Sequence, residues 1–120
     1  MPLSVQAQDE IASWIGETDE DHLFSSIRSK PISDRSIEKA LDEIDERGRP
    51  HGLRSSFRTW VQDTEAASYD VTETALNHTI GNQVERSYAR SDLLDKRRIL
   101  MQKWADFVTG AEAKIVRLRG

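Results

Sequence analysis

Between positions 33 and 48, apolar residues recur at Ile37, Leu41 and Ile44 while charged residues fill most of the places between them, the spacing of an amphipathic helix. Ser33 stands where an N-cap belongs, and Gly48 stands where a helix stops. The same period returns after Pro50, which resets the backbone: Leu53, Phe57, Trp60 and Val61 fall at i, i+4, i+7 and i+8, predicting a helix with that stripe in a core. Upstream, Ser4 can cap a helix over "SVQAQDEIASWI", in which Val5, Ile11, Trp14 and Ile15 keep a partly helical spacing until Gly16 and an acidic run end it. "LFSSIRSKPI" is predicted as a loop with an apolar anchor at Leu23 and Phe24. "VTETALNH" is predicted as a short helix capped by Thr72 or Asp70, followed by a turn through Gly81 and Asn82. A long helical stretch follows, with a break expected near Ser91 and Asp92, and with Leu94, Ile99, Leu100, Trp104, Phe107 and Val108 as its apolar set. The tail reads as a basic extension or, over Lys114 to Arg119, as a short edge strand. The expected fold is mainly α, a compact helical unit.

Composition narrows the class without naming a function. A chain of 120 residues has room for one modest core, and 37% hydrophobic with 32% charged residues fits a folded, water-facing domain. The absence of cysteine excludes disulfides and thiolate metal sites, and fits a reducing cytoplasm. No apolar run approaches the roughly 20 residues that span a bilayer, so no membrane partner is expected. The net charge of −4 argues against nucleic acid until it is split along the chain. Residues 1 to 48 carry twelve acids against five Lys and Arg, a net of −7, whereas residues 49 to 120 carry nine acids against twelve bases, a net of +3.

That basic part also holds the candidate chemistry. His22, His51 and His78 lack the i, i+4 pairing of a zinc helix, and there is no glycine-rich phosphate loop or serine nucleophile elbow, so neither metal nor cofactor is expected. Four residues remain: His51, Arg54, His78 and Tyr88. Positions three apart share a helix face, which lets His51 and Arg54 converge on one group. A guanidinium offers a planar fork to phosphate oxygens, and an imidazole donates a hydrogen bond or moves a proton near neutral pH. His78 can add a donor, and Tyr88 a phenol. With a reference pKa near 10, ionising that phenol at pH 7 costs about 4 kcal/mol, so an attacking tyrosine needs a base or an electropositive pocket beside it.

The order of these residues and their surroundings, "HGLRSSFRTW" and then "ALNHTIGNQVERSYARSDLLDKRRILMQKWADFV", closely resemble the C-terminal half of the catalytic domain of tyrosine recombinases, in particular phage-type integrases carried by genomic islands. The family pattern is His-x-x-Arg, a Leu-Gly-His-like element, and a nucleophilic tyrosine about ten residues on. Here these are His51 to Arg54, Leu76-Asn77-His78, and Tyr88. "PLSVQA" and "LFSSIRSKPISDRSIEKAL" resemble the family as well, so the likeness runs from position 2 to about 108.

The resemblance implies that Tyr88 attacks a phosphodiester of double-stranded DNA to form a 3′-phosphotyrosyl bond. Arg54 and His78 would hold the non-bridging oxygens, and His51 would assist proton transfer from the phenol. It implies DNA integration and recombination as part of a longer integrase, with residues 1 to 120 as a partial catalytic domain. A further arginine and a hairpin lysine would precede the chain, as would the domains that grip DNA from the other side. Losing each transition-state donor costs on the order of 10² to 10³ in rate, so the segment alone is expected to be inactive and to bind DNA weakly and in a salt-sensitive manner. Asn77 departs from the glycine frequent at that place. In this family the last helix often docks on a neighbouring protomer, which implies self-association through that helix. The alternative is a non-enzymatic interaction domain whose helices over 33 to 47 and 92 to 108 pack with a protein partner.

Overall fold

The computed structural model describes residues 2–15, 22–25, 30–44, 47–78, 81 and 83–111, with the side chains of 83–92 excepted. Asn82 and residues 112–120, including Lys114 to Arg119, therefore lie outside the described residues. Five helices form among the described residues: α1 (Val5–Ile15), α2 (Asp34–Glu43), α3 (Pro50–Thr64), α4 (Tyr69–Ala75) and α5 (Gln83–Thr109). The fold is mainly α, as the periodicity predicts. The one β feature described is an isolated bridge between Ser25 and Pro31.

Helix starts follow local chemistry. Ser4 Oγ accepts from the Ala7 backbone N–H at 3.2 Å, and Ser33 Oγ accepts from that of Ser36 at 3.3 Å. Pro50 opens α3, where its missing N–H leaves no intrahelical bond unmade. The cap of α4 differs from both expected candidates. Ser68 holds the extended cap position, and Asp70 and Thr72 are already inside the helix, Thr72 being buried there. The Ser68 carbonyl accepts from the Thr72 backbone N–H at 3.1 Å and from the Thr72 hydroxyl at 2.8 Å.

The core lies among α3, α4 and α5. Phe57 and Val61 from α3, Val71 and Leu76 from α4 and its end, and Leu100 from α5 are buried together, with Trp60, Ala75, Leu93, Met101 and Trp104 packed around them. Trp104 bridges two helices: its ring meets Phe57 edge-on at 5.4 Å and lies 5.1 Å from Trp60. This geometry suits the aromatic quadrupole.

Three apolar stripes behave differently from expectation. Leu53 is 66% exposed, because one turn before Phe57 no element among the described residues covers it. In α2 no residue is buried, so Ile37 and Ile44 stay open, and the helix ends at Glu43 with Ile44 as its C-cap, short of Gly48. In α5, Leu100 is 1% exposed and Trp104 is half-buried, Phe107 keeps one face open while its ring packs on Trp60 and Trp104, Leu94, Ile99 and Val108 face outward, and Leu93 and Met101 face in. α5 also runs unbroken through Ser91 and Asp92. Neither residue is a proline or glycine, so backbone bonding continues across them.

α1 docks on α5 through amides. Gln6 Nε2 donates to Asp106 Oδ1 at 2.7 Å, and Gln102 Nε2 donates to Gln6 Oε1 at 2.8 Å and to Asp106 Oδ1 at 2.9 Å. Val5, Trp14 and Ile15 consequently face outward, and Trp14 instead meets Phe24 edge-on at 5.9 Å, which gives the expected loop anchor its partner. No helix among the described residues is long and apolar enough to cross a membrane.

Candidate active site

The site grows from the turn that ends α4. After Ala75 the chain must stop being helical and swing His78 back toward α3. Leu76 caps the helix, and Asn77 adopts a left-handed conformation with φ +62°. The His78 backbone N–H then reaches the Glu73 carbonyl at 2.8 Å. Asparagine is among the few non-glycine residues that tolerate this conformation. Asn77→Val is expected to cost about 1–2 kcal/mol, whereas Asn77→Gly stays near neutral; thermal unfolding of the two variants separates them.

His78 lands between two arginines of α3. Arg54 Nη2 lies 3.1 Å from His78 Nε2 and also donates to the Leu76 carbonyl. Arg58 Nη2 lies 3.1 Å from His78 Nδ1 and donates to Glu73, 2.8 Å from each carboxylate oxygen. Glu73 completes the group: its Oε2 is 2.6 Å from His78 Nδ1. One further donor in this group is unfilled, since Arg58 Nε is buried without a hydrogen-bond partner among the described residues. Two residues of α3, one of α4 and one just past its end thus share one polar cluster.

Of the four residues singled out in the sequence, Arg54 and His78 come together although 24 positions apart. His51 lies exposed in the first turn of α3, one turn before Arg54, with no hydrogen bond to Arg54 or His78. Tyr88 lies on the helical backbone of α5, and its phenol is outside the described side chains. Glu73 and Arg58 are the cluster members that periodicity missed. Glu73 falls on the buried side of a short helix, where an apolar residue is the default, and that mismatch was the available signal.

Glu73 is 5% exposed yet ionised. The hydrogen bond from His78 holds its pKa below the ordinary 4.5, against the opposing effect of burial, with Arg58 adding hydrogen-bonding and charge attraction. A carboxylate whose folded pKa is depressed contributes stability that is present above its unfolded pKa and lost as pH falls through the folded value. Acid unfolding should therefore draw on Glu73 below about pH 4.5. Glu73→Gln is expected to flatten that part of the stability profile, measured by urea unfolding at successive pH values.

The cluster offers donors for an anion and no metal ligand set: among the described residues, no group of three histidines and carboxylates is arranged to hold a metal ion. Comparison with known proteins gives the family. The chain is 39% identical over 87 residues to the prophage integrase IntA of Escherichia coli K12, covering 71% of this chain and 21% of that protein. It is 34% identical over 83 residues to the integrase of Shigella phage Sf6, covering 68% and 21% of the two chains. These likenesses place the chain in the integrase family. The integrase of Enterobacteria phage P4 is 35% identical over 69 residues, or 57% of this chain and 16% of that one. The integrase segment described here spans about a fifth of the length of the curated relatives it matches. No protein-family model and no solved structure matches it.

Proposed function

We propose that this chain supplies the phosphate-binding and nucleophile-bearing part of a tyrosine recombinase, which cuts and rejoins double-stranded DNA during integration and recombination. The observation that carries the reading is the 3.1 Å approach of Arg54 Nη2 to His78 Nε2, which brings a guanidinium and an imidazole within reach of one phosphate. Tyr88 follows ten residues after His78, on the helix that begins at Gln83.

In the proposed reaction the Tyr88 phenolic oxygen forms a bond to phosphorus, and the bond from phosphorus to the 5′ oxygen breaks, leaving a 3′-phosphotyrosyl group. His51 takes the phenol proton, and Arg54 and His78 hold the non-bridging oxygens as charge accumulates on them. The acid that protonates the leaving 5′ oxygen comes from outside this segment. Rejoining reverses the step: a 5′-hydroxyl attacks phosphorus and the phenol leaves. Energy stored in the phosphotyrosyl bond removes any need for a nucleotide cofactor.

A chimera tests the proposal. The matching segment of IntA is replaced by this chain and the product is offered a nicked suicide substrate. The expected result is a covalent protein–DNA adduct mapped by peptide mass spectrometry to Tyr88, with none from this chain alone. An adduct on another residue, or a folded chimera that gives none, defeats the reading. A second reading, a protein-interaction domain, draws on α2, in which no residue is buried. It gains nothing from the Arg54–His78 pair, which a docking surface has no need to assemble.

A further inference from the structure

We propose that Glu73 is the positioning residue of this site, fixing which nitrogen of His78 faces the phosphate. The inference rests on the phosphate-binding reading of Arg54 and His78 and extends it to the residue on the other side of the His78 ring from Arg54.

The hydrogen pattern follows from the chemistry of the partners. A carboxylate only accepts and a guanidinium only donates. Nδ1 of His78 lies 2.6 Å from Glu73 Oε2, so Nδ1 carries the proton and gives it to Glu73. The 3.1 Å contact from Arg58 to the same nitrogen is then a packing approach, and the Arg58 hydrogens go to the carboxylate. At the opposite side of the ring, Nε2 faces the donor Nη2 of Arg54, so in the neutral imidazole it is a lone pair that accepts. Both ring nitrogens are thereby assigned, and only Nε2 is left to meet a ligand.

The same arrangement prepares the ring for an anion. When a phosphate oxygen arrives, Arg54 Nη2 turns from Nε2 to that oxygen, and Nε2, protonated from solvent, becomes a donor to the neighbouring oxygen. Nδ1 keeps its bond to the Glu73 carboxylate throughout, which places a negative charge opposite the imidazolium. Arg58 holds that carboxylate stationary: it binds both oxygens, and the main-chain bond from His78 to Glu73 ties the two residues a second time. Because Glu73 is buried, no water competes for the ring proton as it would at an exposed carboxylate.

The test reads the tautomer directly, on the full 120-residue chain without DNA. Two-bond ¹⁵N–¹H spectra are recorded at about pH 8.5, above the ordinary histidine range, and His78 is assigned by its loss in His78→Gln. The expected spectrum shows Nδ1 protonated and Nε2 unprotonated. Glu73→Ala should move His78 toward the Nε2–H form, and Glu73→Gln, whose Oε1 still accepts, should restore the Nδ1–H form. A wild-type His78 with its proton on Nε2, or a folded Glu73→Ala chain with unchanged ring shifts, overturns the proposal. If Glu73→Ala does not fold, the wild-type and Glu73→Gln spectra decide it, since both are expected to show Nδ1–H. The measurement involves no strand cleavage, so it stands or fails separately from the role of Tyr88. In the IntA chimera, Glu73→Ala is expected to slow adduct formation by about 10- to 100-fold, the scale known for the outer partner of a metal-bound histidine, with partial recovery in Glu73→Gln.

Discussion

Arg54→Ala is expected to lower the rate of covalent adduct formation in the IntA chimera by about 10²- to 10³-fold, the loss typical of one preorganised donor to a transition-state oxygen. The residue is placed for that role twice over. Its Nη2 is 3.1 Å from His78 Nε2, and the same nitrogen is tethered to the Leu76 carbonyl, the residue that caps α4. Removing the guanidinium deletes a donor and also releases the turn that presents His78, so the effect should exceed that of removing one exposed positive charge. Arg54→Lys should recover little, because a single ammonium cannot span the Leu76 carbonyl and a phosphate oxygen with a planar fork. The check is a single-turnover time course on the suicide substrate, alongside a filter-binding measurement of uncleaved DNA. Non-covalent affinity should fall far less than the rate. A variant that cleaves within a few-fold of the parent would remove Arg54 from the proposed chemistry.

The second large effect is on folding. Leu100→Ala should destabilise the chain by about 2–5 kcal/mol, the range for emptying a close-packed core site. Leu100 is the most completely buried side chain described, and it joins α5 to Val61 of α3 and Val71 of α4. A domain of this size has about 5–15 kcal/mol in all, so the substitution consumes a large part of its reserve. Ile99→Ala, one position away but facing outward, should change little. Paired urea titrations of the two variants check the contrast, which tests the helix phase of α5 as well as the packing.

Helix phase was the part of the fold least legible in the sequence. The existence of the helices followed from period and from Ser4, Ser33 and Pro50, each of which acts within a few residues of itself. Which apolar residues would be covered depended on neighbours far along the chain. Leu53 and Phe57 share one stripe, yet only Phe57 has Trp104 opposite it. Leu94 and Leu93 differ by one position, and it is Leu93 that packs against the core. The α1–α5 contact was invisible because glutamine carries no hydrophobic signal, although Gln6 and Gln102 make that joint.

At the site the pairing of Arg54 with His78 was readable, because the order of the two residues matches a known pattern. Its supporting cast was not. Glu73 and Arg58 are ordinary letters of helical sequence, and only the left-handed turn at Asn77 reveals that they meet the same ring. Asn77 itself, which looked like a departure, is a side chain suited to the backbone conformation found there.

The uninterrupted run of α5 from Gln83 to Thr109 makes that helix a lever with its fulcrum at the core. Leu100 is clamped between two other helices, and Tyr88 is twelve residues away, about 18 Å along the axis at 1.5 Å per residue. Rocking such a rod by 10° about Leu100 sweeps the tyrosine's main chain through about 3 Å, with every hydrogen bond of the helix preserved. Advance and withdrawal of the proposed nucleophile would then be governed by whatever bears on the far arm, beyond Trp104, at a distance from the proposed phosphate site.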